Sequence, residues 1–277
     1  MADATVTVGA RSRVSFARPR LNMSSSWLGG LLGVVAILVI WTLVSAVFFA
    51  KSQSIPYPWR VVTTLLDDFS SSAYWTSVFD TVGSAAQGFL WGNLIAFAMA
   101  IVALLLPLLE GLITQLAVVT ACIPLTALGP VITIISAPGS RAPSIILAAM
   151  TVILTSVIGI IVGLRAASPV QLEVVTAAGG SRLDQLRRVR LIAAIPAIVA
   201  ACKIAVPASF LGAVLGEYYL LGVDSGLGIQ ILSAQSNNNP LDLWALAITG
   251  GAVAGLGYWI ISLIGRLASP WSEGSRS

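Results

Sequence analysis

The chain has 277 residues, 57% hydrophobic and only 9% charged, against about 25% charged in a soluble globular chain. So few charges cannot cover a water-facing surface, and so apolar a chain is not intrinsically disordered; an all-α integral membrane protein remains. Histidine is absent, the net charge is +4, and the two cysteines, Cys122 and Cys202, lie in apolar segments, so imidazole chemistry, a thiolate zinc cluster and a disulfide framework are not expected.

A spanning helix needs about 20 mostly apolar residues. Trp27 to Ala50 carries no charge and exceeds the roughly 7–15 residues of a signal-peptide core, so it predicts a retained first span. Residues 56–79 are too polar to span. Val61, Val62, Leu65, Leu66 and Phe69 keep helical spacing there and, with Trp59, Tyr74 and Trp75, predict one amphipathic helix at the outer interface. Further spans are expected at about 82–106, 112–136, 143–164, 191–221 and 243–265, the fifth broken by Pro196 and Pro207. Helices are the expected form because the bilayer core leaves no backbone group satisfied by water, and barrel strands would alternate in polarity.

About six spans place both termini on one side. Arg11, Arg13, Arg18 and Arg20 precede the first span. Arg165, Arg182, Arg187, Arg188 and Arg190 fill the loop before the fifth, and Arg266 and Arg276 follow the sixth, whereas the opposite loops carry only Lys51, Arg60 and Arg141. The positive-inside rule makes both termini and the 165–190 loop cytoplasmic. The expected organisation is a cytoplasmic tail at 1–26, one transmembrane domain at 27–270 and a short cytoplasmic tail at 271–277. The tail arginines set topology or touch anionic lipid.

The 165–190 loop carries the main signal. Ser168, Pro169 and Gln171 predict a capped helix start, Gly179 and Gly180 its stop, and Ser181 with Asp184 a second start. A largely apolar helix of this length is marginal in water and needs a partner, either the ends of its own spans or another protein.

Glu173-Val174-Val175, then Gly179, then Ile195-Pro196 resembles the loop signature of the permease subunits of binding-protein-dependent ABC importers, Glu-Ala-Ala, Gly and an apolar residue with Leu-Pro; valines replace the two alanines. Ile55-Pro56-Tyr57-Pro58, Ile123-Pro124 through Gly129-Pro130, and Ser225-Gly226-Leu227-Gly228 with Ile231 are similar to further stretches of that family, in order, over roughly residues 53–270. The similar branch is that of the nitrate, sulfonate and taurine permeases, which includes importers of vitamin precursors.

The resemblance implies a type I ABC importer permease fold in a bacterial inner membrane. It implies a coupling helix at about 168–180 that docks on a cytoplasmic ABC ATPase dimer through Glu173, Val174, Val175, Ala178, Gly179 and Arg182. A solute-binding protein outside and a second permease, identical or homologous, complete the implied assembly, with no nucleic acid. The outer amphipathic helix is then a lid or a landing surface for that binding protein. No Gly-x-x-x-x-Gly-Lys-Ser/Thr loop is present, so no cofactor is expected on this chain, and ATP with Mg belongs to the ATPase. The chain is expected to be a transport subunit and not an enzyme.

Lys203 and Glu217 are the charges within the fifth span. They stand 14 residues apart in the sequence, or about 21 Å along a helix, too far to pair. Glu217 lies near the outer end, where water is close, and a capping or gating role is one reading of it. Lys203 either snorkels or lines the path for an anion, and Thr126, Ser209 and Glu217 are the other candidate path residues. Glycines four apart at 29/33, 88/92, 159/163, 212/216 and 251/255 permit close helix approach. The rival classes are a secondary transporter or channel-like protein without an ATPase, and a membrane enzyme. The first lacks inverted repeats or several buried carboxylates, the second a clustered nucleophile and base.

Overall fold

The computed structural model describes residues 23–269. The arginines of the N-terminal tail and the whole C-terminal tail at 271–277 lie outside the described residues. The first helix, α1, runs Met23–Phe48, beginning inside the segment expected as tail. An amphipathic helix comes next, α2 (Pro58–Asp68), then α3 (Ser72–Leu105). After these come α4 (Pro107–Cys122), α5 (Leu125–Ile135) and α6 (Ala142–Arg165). The loop holds α7 (Pro169–Ala177), α8 (Arg182–Gln185) and a π-helical segment, Leu186–Arg190. It leads into α9 (Leu191–Glu217), then α10 (Leu227–Ser236) and α11 (Pro240–Ala268). Among the described residues, five helices are long and apolar enough to cross a membrane, or six spans with α4 and α5 taken as one bent pair.

Three expectations about elements need correction. The segment 56–79 is not one helix. The chain turns at Phe69–Ser71, where Ser70 and Ser71 donate backbone N–H groups to Asp67 O and Asp68 O, and Ser71 becomes the N-cap of α3. Tyr74 and Trp75 therefore begin the second span, although their rings still meet Phe69. The third span is not continuous, since α4 and α5 meet at 90°. Pro124 disfavours helical geometry at the residue before it, and Ile123 is extended at φ −70°, ψ 125°. The fifth span is not broken, because α9 runs through both Pro196 and Pro207. Neighbouring helices make such prolines tolerable in a membrane, and Thr151 and Ser144 of α6 donate to α9 at Ala208 O and Ala213 O, both 2.9 Å.

The bundle is built around α6, which packs most extensively on α9 and then on α3. Small residues allow it. A Cβ at Gly88 would lie 2.3 Å from Ala148 Cβ, one at Gly159 2.4 Å from Ala201 Cβ, and one at Gly216 2.4 Å from Ser144 Cα. The glycine pairs at 88/92, 159/163 and 212/216 thus all lie at contacts among α3, α6 and α9, whereas those at 29/33 and 251/255 face open space. α1 stands almost clear of the bundle. It is tied at one end by Trp41 Nε1 donating to Pro56 O (3.0 Å), Ser45 Oγ donating to Ile55 O (2.7 Å), and ring contact between Trp41 and Trp244.

Candidate functional site

Two clusters of polar structure lie at opposite ends of the bundle. At the arginine-rich end, α7 projects with none of its residues buried. Ser168 occupies its N-cap, but its side chain makes no capping bond, so the expected capping box with Gln171 does not form. The stop forms as expected. Gly179 adopts φ +80°, Gly180 N donates to Val175 O (2.8 Å) and Gly179 N to Thr176 O (2.9 Å). This is a Schellman end that needs a residue free to take positive φ. The second start also forms, as a reciprocal box between Ser181 and Asp184.

Gln185, the last residue of α8, ties α7 in place by donating to Thr176 Oγ1 (2.7 Å) and Leu172 O (3.3 Å). Arg190 Nη1 donates to Leu164 O (3.1 Å), fixing the loop to the end of α6. The loop is therefore held at its base while its tip is bare. Glu173, Val174, Ala178, Gly179 and Arg182 are exposed, with Val174 at 63%, and Val175 is half-buried. A groove of about 450 Å³ opens beside α7, lined by Gln171, Val174, Val175, Arg188, Val189 and Ile192 among others.

At the other end a buried ionic hub joins four parts of the chain. Glu217, at the end of α9, is only 1% exposed, not beside water as expected. Thr81 of α3 donates its hydroxyl to the Glu217 carboxylate (2.8 Å to Oε1) and accepts from Leu227 N (2.8 Å). Gly228 N donates to Glu217 Oε2 at 2.7 Å. Glu217 and Thr81 thus satisfy the first N–H groups of α10, where a helix has no partners of its own.

Arg141, before α6, completes the hub. Its Nη1 lies 3.6 Å from Glu217 Oε1 and its Nη2 2.7 Å from Asp80 Oδ2; Nη2 also donates to Ser225 O at 2.8 Å. The Ser225 hydroxyl bonds Asp80 as well. Gly226 has φ +145°, and a Cβ there would lie 2.7 Å from Glu217 Cδ. Beside the hub, a polar cavity of about 270 Å³ includes Asp68, Tyr74, Gln230, Asn237 and Asp242 in its lining. Burial, then the charges of Asp242 and Asp67, hold the Asp68 carboxyl above the usual carboxylate range.

The four candidate path residues do not converge within one chain. Thr126 is exposed on α5. Ser209 is buried on α9 and donates to Val206 O (2.8 Å). Lys203 is half-buried on α9, and Glu217 is enclosed in the hub. Sequence reasoning missed Thr81 and Asp80, which lie about two turns inside α3, and Arg141, the N-cap of α6; only Glu217 and the Ser225–Gly228 stretch signalled that something was built there.

A comparison with protein families matches residues 88–273 to the binding-protein-dependent transport system inner membrane component. The chain belongs to this family. The permease is a multi-pass inner-membrane protein and a transport subunit, in a family whose members work with an ATPase and a solute-binding protein. The matched residues hold α6, the α7 loop, α9 and α10. The comparison with individually curated proteins returned no match.

Proposed function

We propose that this permease forms one side of the membrane path of an ATP-driven importer, with its arginine-rich end in the cytoplasm and α7 as the element that meets the ATPase. The exposure of α7 carries this reading: a short helix with no buried residue, an open groove at its side and a fixed base, is built to receive a partner. Val174 supplies apolar contact and Glu173, which has no ion-pair partner among the described residues, supplies a carboxylate for a cation on the ATPase. ATP and Mg bind that ATPase. Transport then results from movement of α7, passed to α9 through Gln185, the π segment and Arg190. A second permease, identical or homologous, closes the path; of the candidate positions Thr126 is the exposed one, while Ser209 opens on an apolar cleft and Glu217 is enclosed in the hub. The solute is of the class taken by the nitrate, sulfonate and taurine branch or its vitamin-precursor importers, handed over by a binding protein at the hub end.

Glu173→Lys tests the reading. The variant should insert and assemble normally, yet lose most solute uptake in vesicles supplied with ATP and the binding protein. Normal uptake with normal assembly would remove α7 from coupling. Failure to copurify any ATPase with the unaltered chain would instead favour a secondary transporter.

A further inference from the structure

A cleft of about 310 Å³ lies between α3, α9 and α11, lined among others by Val82, Phe89, Val206, Phe210, Val253 and Ile261. Its one polar lining residue is Ser209, whose hydroxyl is spent on Val206 O. A polar solute would lose its hydration there and gain no bonds. Leu90 and Ile260, at 60% and 51% exposure, leave the cleft open to the side of the bundle.

Lys203 stands three residues before Val206, hence on the same face of α9, about 4.5 Å along the axis toward the arginine-rich end. Gly265 stands four residues beyond Ile261 on the matching stripe of α11, and a Cβ placed on it would lie 3.7 Å from Lys203 Cε. The side chain thus reaches the closing turn of α11, which ends at Ala268. No carboxylate pairs with Lys203 among the described residues. A cation that reaches the arginine-rich end of a spanning helix sits where lipid headgroups lie, and an anionic headgroup is attracted to it.

We infer that this cleft is a binding site for an anionic phospholipid, one acyl chain lying between α3, α9 and α11 and the phosphate pairing with Lys203. Among the described residues no carboxylate stands beside Lys203 to hold a choline or ethanolamine ammonium group, and the lysine's own charge sets the preference for an anionic headgroup. The inference rests on the chain spanning a membrane and not on the importer reading, and it gives Lys203 a partner other than a transported anion.

The test uses the permease with its copurified partners, exchanged into mixed phosphatidylglycerol and phosphatidylcholine, with retained lipid counted by native mass spectrometry. Phosphatidylglycerol should be retained over phosphatidylcholine by about fivefold, the effect of one cation on an anionic lipid. Lys203→Met should abolish the preference and Lys203→Arg keep it. Ala86→Phe, at an exposed lining position, should fill the cleft and displace lipid while leaving Lys203 in place. Equal retention of both lipids by the unaltered protein, or an unchanged preference in either Lys203→Met or Ala86→Phe, overturns the proposal. So does a disulfide between copies at Ala86→Cys, which would seat a second chain in the cleft. Lost uptake in Lys203→Met with the lipid preference intact also overturns it and returns Lys203 to the path. Lost ATPase coupling in Glu173→Lys has no bearing on lipid counts, so the two readings fail separately.

Discussion

At the scale of single residues, the hub shows how a buried carboxylate is made tolerable at the end of a membrane helix. Glu217 receives a hydroxyl, a backbone N–H and a guanidinium, and removing one partner leaves the charge under-satisfied at unchanged burial. Thr81 matters most because its hydroxyl gives to Glu217 and takes from Leu227 N–H. Thr81→Val keeps the shape and loses both bonds. It should destabilise the permease by about 1–3 kcal/mol, the cost of a buried polar group left unpaired, while Thr81→Ser should restore most of it. Thermal unfolding of the purified protein in detergent checks this, and equal midpoints for Thr81→Val and the unaltered chain would show that the hub adds nothing to stability. Gly226 belongs to the same scale. Its positive φ and its nearness to Glu217 mean that any side chain there meets both backbone strain and collision.

At the scale of elements, close approach of α3, α6 and α9 depends on glycine at chosen turns. Gly212→Leu would push a Cβ to within 2.8 Å of Ala148 Cα, backbone that cannot swing aside. Overpacking of this kind costs about 1–3 kcal/mol or more, so the variant should give little monodisperse protein on size exclusion. Gly251→Leu, in the same sort of motif but with nothing within 4 Å, should behave like the unaltered chain. Equal yields from the two variants would overturn the packing argument. The loop obeys the same logic of fixed and free parts. Its glycine stop, serine cap and Gln185 tether set the direction of α7, and the π segment joins it to α9 where a local bulge in hydrogen bonding often marks a functional point.

At the scale of the whole molecule, the bundle is asymmetric. One end carries the arginines and the bare α7; the other carries the hub, α2 and the polar cavity at Asp68 and Asp242. With the arginine-rich end in the cytoplasm, a cysteine at Gln171 or Arg182, in a chain whose Cys122 and Cys202 have been replaced by serine, should react with a membrane-impermeant maleimide in inverted vesicles and not in intact cells. Labelling from outside would invert the molecule and remove α7 from any cytoplasmic ATPase. The largely exposed α1 and the many exposed leucines and isoleucines on the outer faces of the bundle fit a protein whose surroundings are lipid and further chains, where apolar exposure costs nothing.

Composition and the lengths of apolar runs by themselves determined the class of this protein and its five or six spans, because burial in lipid is a local demand that each segment meets alone; the loop signature around Glu173 and Gly179 was legible only through its resemblance to a family. The glycine stop and serine cap were legible from the chain itself, being contacts between residues a few positions apart. Tertiary structure alone decided the rest. Pro124 stands in the break between two helices, whereas Pro196 and Pro207 lie inside one continuous helix, because that helix packs extensively on α6. Two glycine pairs out of five are idle, because spacing says what a helix permits and not which face meets a neighbour. Glu217 was legible as a charge near the outer end that caps or gates, but its enclosure by Thr81, Arg141 and the start of α10 was not. Those partners are 136, 76 and 11 residues away in the sequence, and no local pattern records a contact of that range.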